Sequence, residues 1–255
     1  MTSPHPTAVI TGGAGGLGRH IAAALLADGV RVALLDRSAE ALDDAVAELA
    51  APAAELLPIV GDITDETDVE RAVGTVVGTW GRIDTVVSNA GIEPAHSLAD
   101  VTRELWDKVL AVNLTGPMLL AKHTLPVWRE RGGGSFLAIG SRTWLSGSGT
   151  VAYVASKAAL VGLARSIASE YGRDGVRANV IAPAFVRTPL NATKGDPATV
   201  EEFARRFAEL SPLGRLIEPD DVAATVAFLA SPRARNITGE VINVAAGTHL
   251  APILH

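Results

Sequence analysis

Residues 8–18 read Ala8-Val-Ile-Thr-Gly-Gly-Ala-Gly-Gly-Leu-Gly18. A short apolar run, suited to a buried strand, leads directly into a turn dense in glycine. An amphipathic stretch over residues 17–27 follows. Strand, glycine turn and helix in that order form a place for a diphosphate. Glycines let the backbone approach closely, and the N–H groups of the helix N-terminus face the anion. Two registers overlap here. Gly13, Gly15 and Gly18 fit G-x-G-x-x-G, while Gly12, Gly16 and Gly18 fit T-G-x-x-x-G-x-G, with Leu17 inside the turn in either case.

Working outward, the chain keeps alternating short apolar runs with longer amphipathic ones. Strands are predicted at residues 8–10, 32–35, 56–60, 83–88, 136–139, 176–181 and 241–244. Helices are predicted at 17–27, 39–49, 65–80, 102–129 and 151–171, with Thr64 and Asp65 offering caps to the third. Continuous apolar strands between helices imply a parallel sheet buried on both faces. The expected fold is therefore α/β: a doubly wound, Rossmann-type, seven-stranded parallel sheet flanked by helices, in a single domain over residues 1–255. Residues 188–213, with Pro189, Gly195, Pro197 and Pro212 around a charged helical piece at 201–210, read as a mobile insertion over a site. The plainer alternative is a surface helical excursion.

Asp36 closes the second strand, about 20 residues beyond the glycine turn, where a carboxylate can accept from the adenosine ribose hydroxyls. It would repel a 2′-phosphate, which favours NAD over NADP. Arg37 beside it can hold such a phosphate and leaves NADP as the weaker choice. Asp62 and Ile63, after the third strand, are placed near the adenine; for Asp62 the alternative is a cap beside the next helix.

Tyr153 and Lys157 lie four residues apart in Tyr153-Val-Ala-Ser-Lys157. That spacing sets both on one helical face. A fixed positive charge favours phenolate, so Lys157 is expected to lower the Tyr153 pKa. The pair can then exchange a proton with an alcohol or a carbonyl near neutral pH.

Composition narrows the field. The chain has 255 residues, 48% of them hydrophobic, and a net charge of −6 with no dense basic stretch. Nucleic acid is an unsuitable partner for such a surface. Cysteine is absent, which excludes disulfides, thiolate nucleophiles and zinc–thiolate sites, and no metal is expected. The first residues lack a signal-peptide pattern, and no apolar run is expected to reach the length of a membrane span. A cytoplasmic location is the expectation.

On these motifs the whole chain resembles the classical short-chain dehydrogenase/reductase family. The Thr11–Gly18 register is similar to the family's own. Ser88-Asn-Ala-Gly91 resembles its N-N-A-G segment, with Ser88 in place of the first Asn. The resemblance implies that Asn89, Ala90 and Gly91 border the cofactor. It implies the same for Pro183, Val186 and Thr188, which lie in a stretch similar to its P-G-x-x-x-T segment with Ala184 replacing the Gly. It also implies a catalytic set of Asn113, Ser141, Tyr153 and Lys157. Ser141 stands twelve residues before Tyr153, one fewer than is common, and Gly140 occupies the usual place. Ser146 and Ser148 are the fallbacks. Asn113 is expected to hold a water near Lys157, completing a proton relay.

For the substrate pocket, Glu93, Arg142, Trp144, Phe185 and Leu190 are candidates, with Ile92 and His96 on the same side as Glu93. A neutral secondary alcohol or its ketone is the expected substrate. Arg142 or Arg187 could instead hold an acidic group. Two rivals stand beside an NAD-dependent alcohol dehydrogenase or ketone reductase. One is a 3-oxoacyl thioester reductase using NADPH, and the other a non-catalytic nucleotide-sensing protein. The resemblance further implies a homotetramer in which residues 102–129 and 151–171 pair between subunits.

Overall fold

The computed structural model describes residues 5–186 and 197–250. Seven parallel strands form one sheet in the order β3-β2-β1-β4-β5-β6-β7. They are β1 (Thr7–Thr11), β2 (Arg31–Asp36), β3 (Leu56–Val60), β4 (Thr85–Ser88), β5 (Gly134–Ile139), β6 (Val176–Pro183) and β7 (Val241–Val244). Side chains alternate along each strand. Val9, Ala33, Val86, Phe136 and Val180 therefore enter one core, and Ile10, Leu34, Val87, Leu137 and Ile181 the other.

Helices cover both faces. The first core is closed by α3 (Glu66–Trp80), α5 (Gly116–Arg131) and α7 (Val151–Tyr171). The second is closed by α1 (Gly16–Ala27), α2 (Ala39–Leu49) and α9 (Pro219–Ala230). Local chemistry sets several ends. Ser38 accepts from the Ala41 N–H at the start of α2. Asp65, not Thr64, caps α3 by accepting from the Thr67 N–H, and Gly81 ends that helix at φ 72°.

The expected single helix over 102–129 is three pieces. These are α4 (Arg103–Leu110), a π-helical turn (Ala111–Thr115) and α5. The wide turn holds Asn113, and such turns recur where a side chain must be aimed. Among the tryptophans on these helices, Trp128 is fully buried, Trp80 packs against the core while partly exposed, and Trp106 is only partly buried.

The expectation about membrane spans needs correction. The segment Val151–Asp174 is long and apolar enough to cross a membrane by length and composition. Its Leu160, Val161 and Ala164 pack into the first core, and it carries the buried Lys157. Its apolarity serves the sheet face it covers.

Between β1 and β4 the strand order reverses, because the chain first builds outward through β2 and β3. The crevice outside the carboxyl ends of strands at such a switch point receives ligands in this architecture. Thr11, Asn89 and the glycine turn all stand there.

Candidate active site

A cavity of about 470 Å³ opens at the switch point. Gly12, Gly15, Gly16, Leu17, Asp36, Arg37, Asp62 and Ile63 line one end. Asn89, Ala90 and Gly91 line its middle, and Ser141, Tyr153, Lys157, Pro183 and Val186 the other end.

The glycine turn is built by contact. Gly12 adopts φ 61°, and a Cβ there would stand 2.9 Å from the Ala90 Cα. A Cβ on Gly18 would stand 2.3 Å from the Gly12 carbonyl oxygen. Larger residues would push the turn off the sheet. No side chain caps the first turn of α1, and no acidic residue stands in it. Its N–H groups therefore remain for an anion. Asp36 braces the turn by accepting from the Ala14 N–H at 3.3 Å. Thr11 and Asn89 cross-link β1 to β4. Asn89 Nδ2 donates to the carbonyls of Thr11 and Gly12, and Thr11 Oγ1 accepts from the N–H groups of Asn89 and Ala90. Asp62 spends its Oδ1 on the N–H and hydroxyl of Thr64 while still lining the cavity. These residues fit a dinucleotide: an uncapped helix N-terminus, a glycine cradle a Cβ would fill, and a carboxylate at the far end.

At the other end, β5, the π-turn and α7 converge. Tyr153 and Lys157 are buried on one face of α7. Ser141, just past β5, hydrogen-bonds the Tyr153 side chain. Gly140 explains the shortened spacing. Its N–H donates to Ile181 O at 2.7 Å, and a Cβ there would stand 2.6 Å from Val180 Cγ1. A side chain at Gly140 would have to push the Val180 methyl aside, and the hydroxyl at this strand end belongs to the next residue, Ser141. Of the fallbacks, Ser148 lines the neighbouring cavity, whereas Ser146 is exposed and accepts from the Ser148 N–H. Lys157 Nζ donates to Ile139 O at 2.7 Å and lies 5.5 Å from the centre of the Tyr153 ring.

Asn113 is fully buried. Its Oδ1 accepts from the Ile92 N–H at 2.9 Å, and Nδ2 donates to Ile92 O and Ser156 Oγ, each at 3.0 Å. Ser156 in turn donates to Tyr153 O at 2.7 Å. Asn113 thus ties the segment after β4 to the helix that carries Tyr153. Ser156 completes this link; it lay inside the Tyr/Lys motif, yet nothing in the spacing singled it out.

The electrostatics reverse one expectation. Burial, and then the Glu93 carboxylate, push Tyr153 up to about 12, with the Ser141 hydrogen bond opposing them. Burial draws Lys157 down to about 8, and Glu93 opposes that fall. In the protein alone, desolvation is the largest influence on the phenol, and Lys157 is not among the groups that shift it. The Tyr153 phenol therefore keeps its proton at neutral pH. When bound, a nicotinamide cofactor would supply the hydride chemistry and, in its oxidised form, positive charge beside the phenol.

A second cavity, about 420 Å³, meets the first at Ser141, Tyr153, Pro183 and Ala184. Glu93, Arg142 and Phe185 line it as expected. Trp144 does not; it packs against the first core, because the short helix α6 (Thr143–Ser146) turns that ring away from the opening. His96 is likewise absent from the wall; its ring contacts Pro94 O and the Ala152 N–H. Ile92 borders the first cavity instead. Arg187, Thr188 and Leu190 lie outside the described residues. The insertion contributes α8 (Pro197–Leu210), longer than expected, whose Phe203 and Phe207 cluster with Phe185 at 5.1–6.1 Å. Their four-residue spacing was the available signal for this wall.

A family model described as enoyl-(acyl carrier protein) reductase matches residues 12–249. Levodione reductase of Leifsonia aquatica is 38% identical over 250 residues, covering 95% of this chain and 94% of that protein. Dehydrogenase/reductase SDR family member 4 of Homo sapiens is 36% identical, covering 94% and 86%. Among solved structures, levodione reductase superposes with a TM-score of 0.90 at 37% identity, covering 96% of this chain and 97% of that one. A 3-ketoacyl-(acyl-carrier-protein) reductase from Brucella melitensis, complexed with NADH, gives 0.86 at 28% identity, covering 97% and 100%. The chain belongs to the short-chain dehydrogenase/reductase family. It is an oxidoreductase.

Proposed function

We propose that the chain uses NAD in preference to NADP, with Tyr153 as the group that exchanges the proton of the substrate oxygen. The observation that carries this reading is the position of Tyr153. Its phenol stands where the two cavities meet, hydrogen-bonded to Ser141 and backed by the buried Lys157. In reduction the phenol gives its proton to the developing alkoxide. In oxidation the phenolate takes it from the alcohol. Ser141 orients the reacting oxygen beside it. Lys157 would hold the nicotinamide ribose, and its charge favours the phenolate. Asn113 keeps the segment bearing Gly91 and Ile92 against α7. Both Nδ2 protons are engaged, so a water that Asn113 holds toward Lys157 must donate to an oxygen, Oδ1 or the backbone carbonyl.

The cofactor preference rests on Asp36, whose carboxylate lines the cavity at the adenosine end. Absorbance at the NADH band, read across neutral secondary alcohols, acidic hydroxy compounds and sugars, tests both parts. Turnover is expected with NAD⁺. Asp36→Ser should lower kcat/KM for NAD⁺ and raise it for NADP⁺, moving their ratio by about 10–100-fold, the scale of one charged contact. A wild type that turns over only with NADP⁺ overturns this reading of Asp36.

The family resemblance also supports a homotetramer in which α4, α5 and α7 pair between subunits. Light scattering should give the mass of four chains; a monomer rejects it.

A further inference from the structure

The second cavity holds a cation that the proton chemistry does not use. Arg142 follows Ser141 directly, and its N–H donates to Pro183 O at 2.8 Å, so its backbone is held at the site. Its guanidinium lies over the Phe207 ring, 5.2 Å from the centre. One Nη1 hydrogen bond reaches Thr248 O at 3.3 Å. Among the described residues no carboxylate pairs with it. A guanidinium has several N–H donors and no acceptor, so most of these donors remain unspent on protein. Partial burial makes that arrangement costly unless an oxygen acceptor arrives, and it holds Arg142 below its ordinary pKa. The contact with Phe207 engages the cation through the ring and uses none of its N–H donors on an oxygen.

We propose that Arg142 anchors the substrate, which carries, besides the reacting carbon, a second oxygen acceptor: a carbonyl or a carboxylate. This rests on the oxidoreductase reading of the same cavity. Ser141 and Arg142 are chain neighbours, so one small molecule can meet both. Phe185, Phe203 and Phe207 supply an apolar wall for the carbon body between the two oxygens.

The test uses NADH-loaded protein and three ring ketones: cyclohexanone, the corresponding para-diketone and the corresponding para-carboxylate. Wild type should favour at least one acceptor-bearing ketone over cyclohexanone by about 10-fold or more in kcat/KM, the scale of one charge-assisted hydrogen bond. Whichever of the two is favoured identifies the acceptor. Arg142→Met should bring that ratio to about one, chiefly through KM, and Arg142→Lys should restore part of it. If the tie to Thr248 were the whole role, all three ketones would fall together and the ratio would persist, which overturns the anchor. So would a wild type that prefers cyclohexanone. Binding is read separately as the rise in melting temperature each ketone produces. A rise with an acceptor-bearing ketone, lost in Arg142→Met, supports the anchor even without turnover, and then it is the oxidoreductase reading that has failed. The absence of both a rise and a preference overturns the anchor.

Discussion

Tyr153→Phe should lower kcat/KM by about 10²–10⁴-fold, the contribution of a positioned acid–base group, while NADH still binds. The ring stays in its buried place, so packing is retained; what is lost is the oxygen that bonds Ser141 and faces both cavities. Fluorescence titration with NADH reads the binding, and hydride turnover reads the loss. Full activity in Tyr153→Phe would remove the phenol from the mechanism. The pH dependence checks the same group. Because Tyr153 is pushed up to about 12, oxidation should rise with pH through the neutral and alkaline range as phenolate forms. Glu93 raises both Tyr153 and Lys157. Glu93→Gln should therefore move the whole profile to lower pH, by about one unit for a single nearby charge. Phenolate then forms earlier, and the Lys157 charge is lost earlier. An unchanged or alkaline-shifted profile contradicts this electrostatic account.

Asn113→Ala should cost about 2–4 kcal/mol of stability and lower the melting temperature by about 5–15 °C. Three hydrogen bonds go at a fully buried position. Ile92 loses a partner on both its N–H and its carbonyl, and Ser156 loses its donor. Groups left without partners in such a place cost more than the bonds contributed. Activity should fall further than the folded fraction accounts for, because Ser156 and Asn113 connect the Gly91 segment to the helix under Tyr153. Melting by circular dichroism, with turnover measured well below the midpoint, separates the two effects. A melting temperature within a degree of wild type would show that Asn113 does not tie these elements.

The strands and their order of appearance were legible because the signal is local. Ala8–Ile10 runs into its glycine turn within a few residues, and Tyr153 and Lys157 share a face through helical spacing alone. The π-turn at Ala111–Thr115 was not legible. Its apolar pattern continues that of the flanking helices, and the turn widens where Asn113 must meet Ile92 and Ser156. Trp144 looked like a pocket wall by proximity to Ser141, yet the direction of a side chain depends on the turn that carries it. Gly140 looked like a missing hydroxyl; its neighbour Val180, on a different strand, shows it to be a packing requirement.

By itself the sequence determined the parallel sheet, the glycine cradle, the carboxylate at the end of β2 and the Tyr/Lys pair. Each depends on residues close in the chain, where backbone geometry fixes what neighbours can do. Only the tertiary structure decided the protonation of Tyr153, the closing of the substrate cavity by Phe203 and Phe207, and the setting of Arg142 over Phe207. Burial, Coulomb interactions and ring contacts depend on separation in space. Glu93, Tyr153 and Phe207 are far apart in the chain and meet only once the sheet has formed.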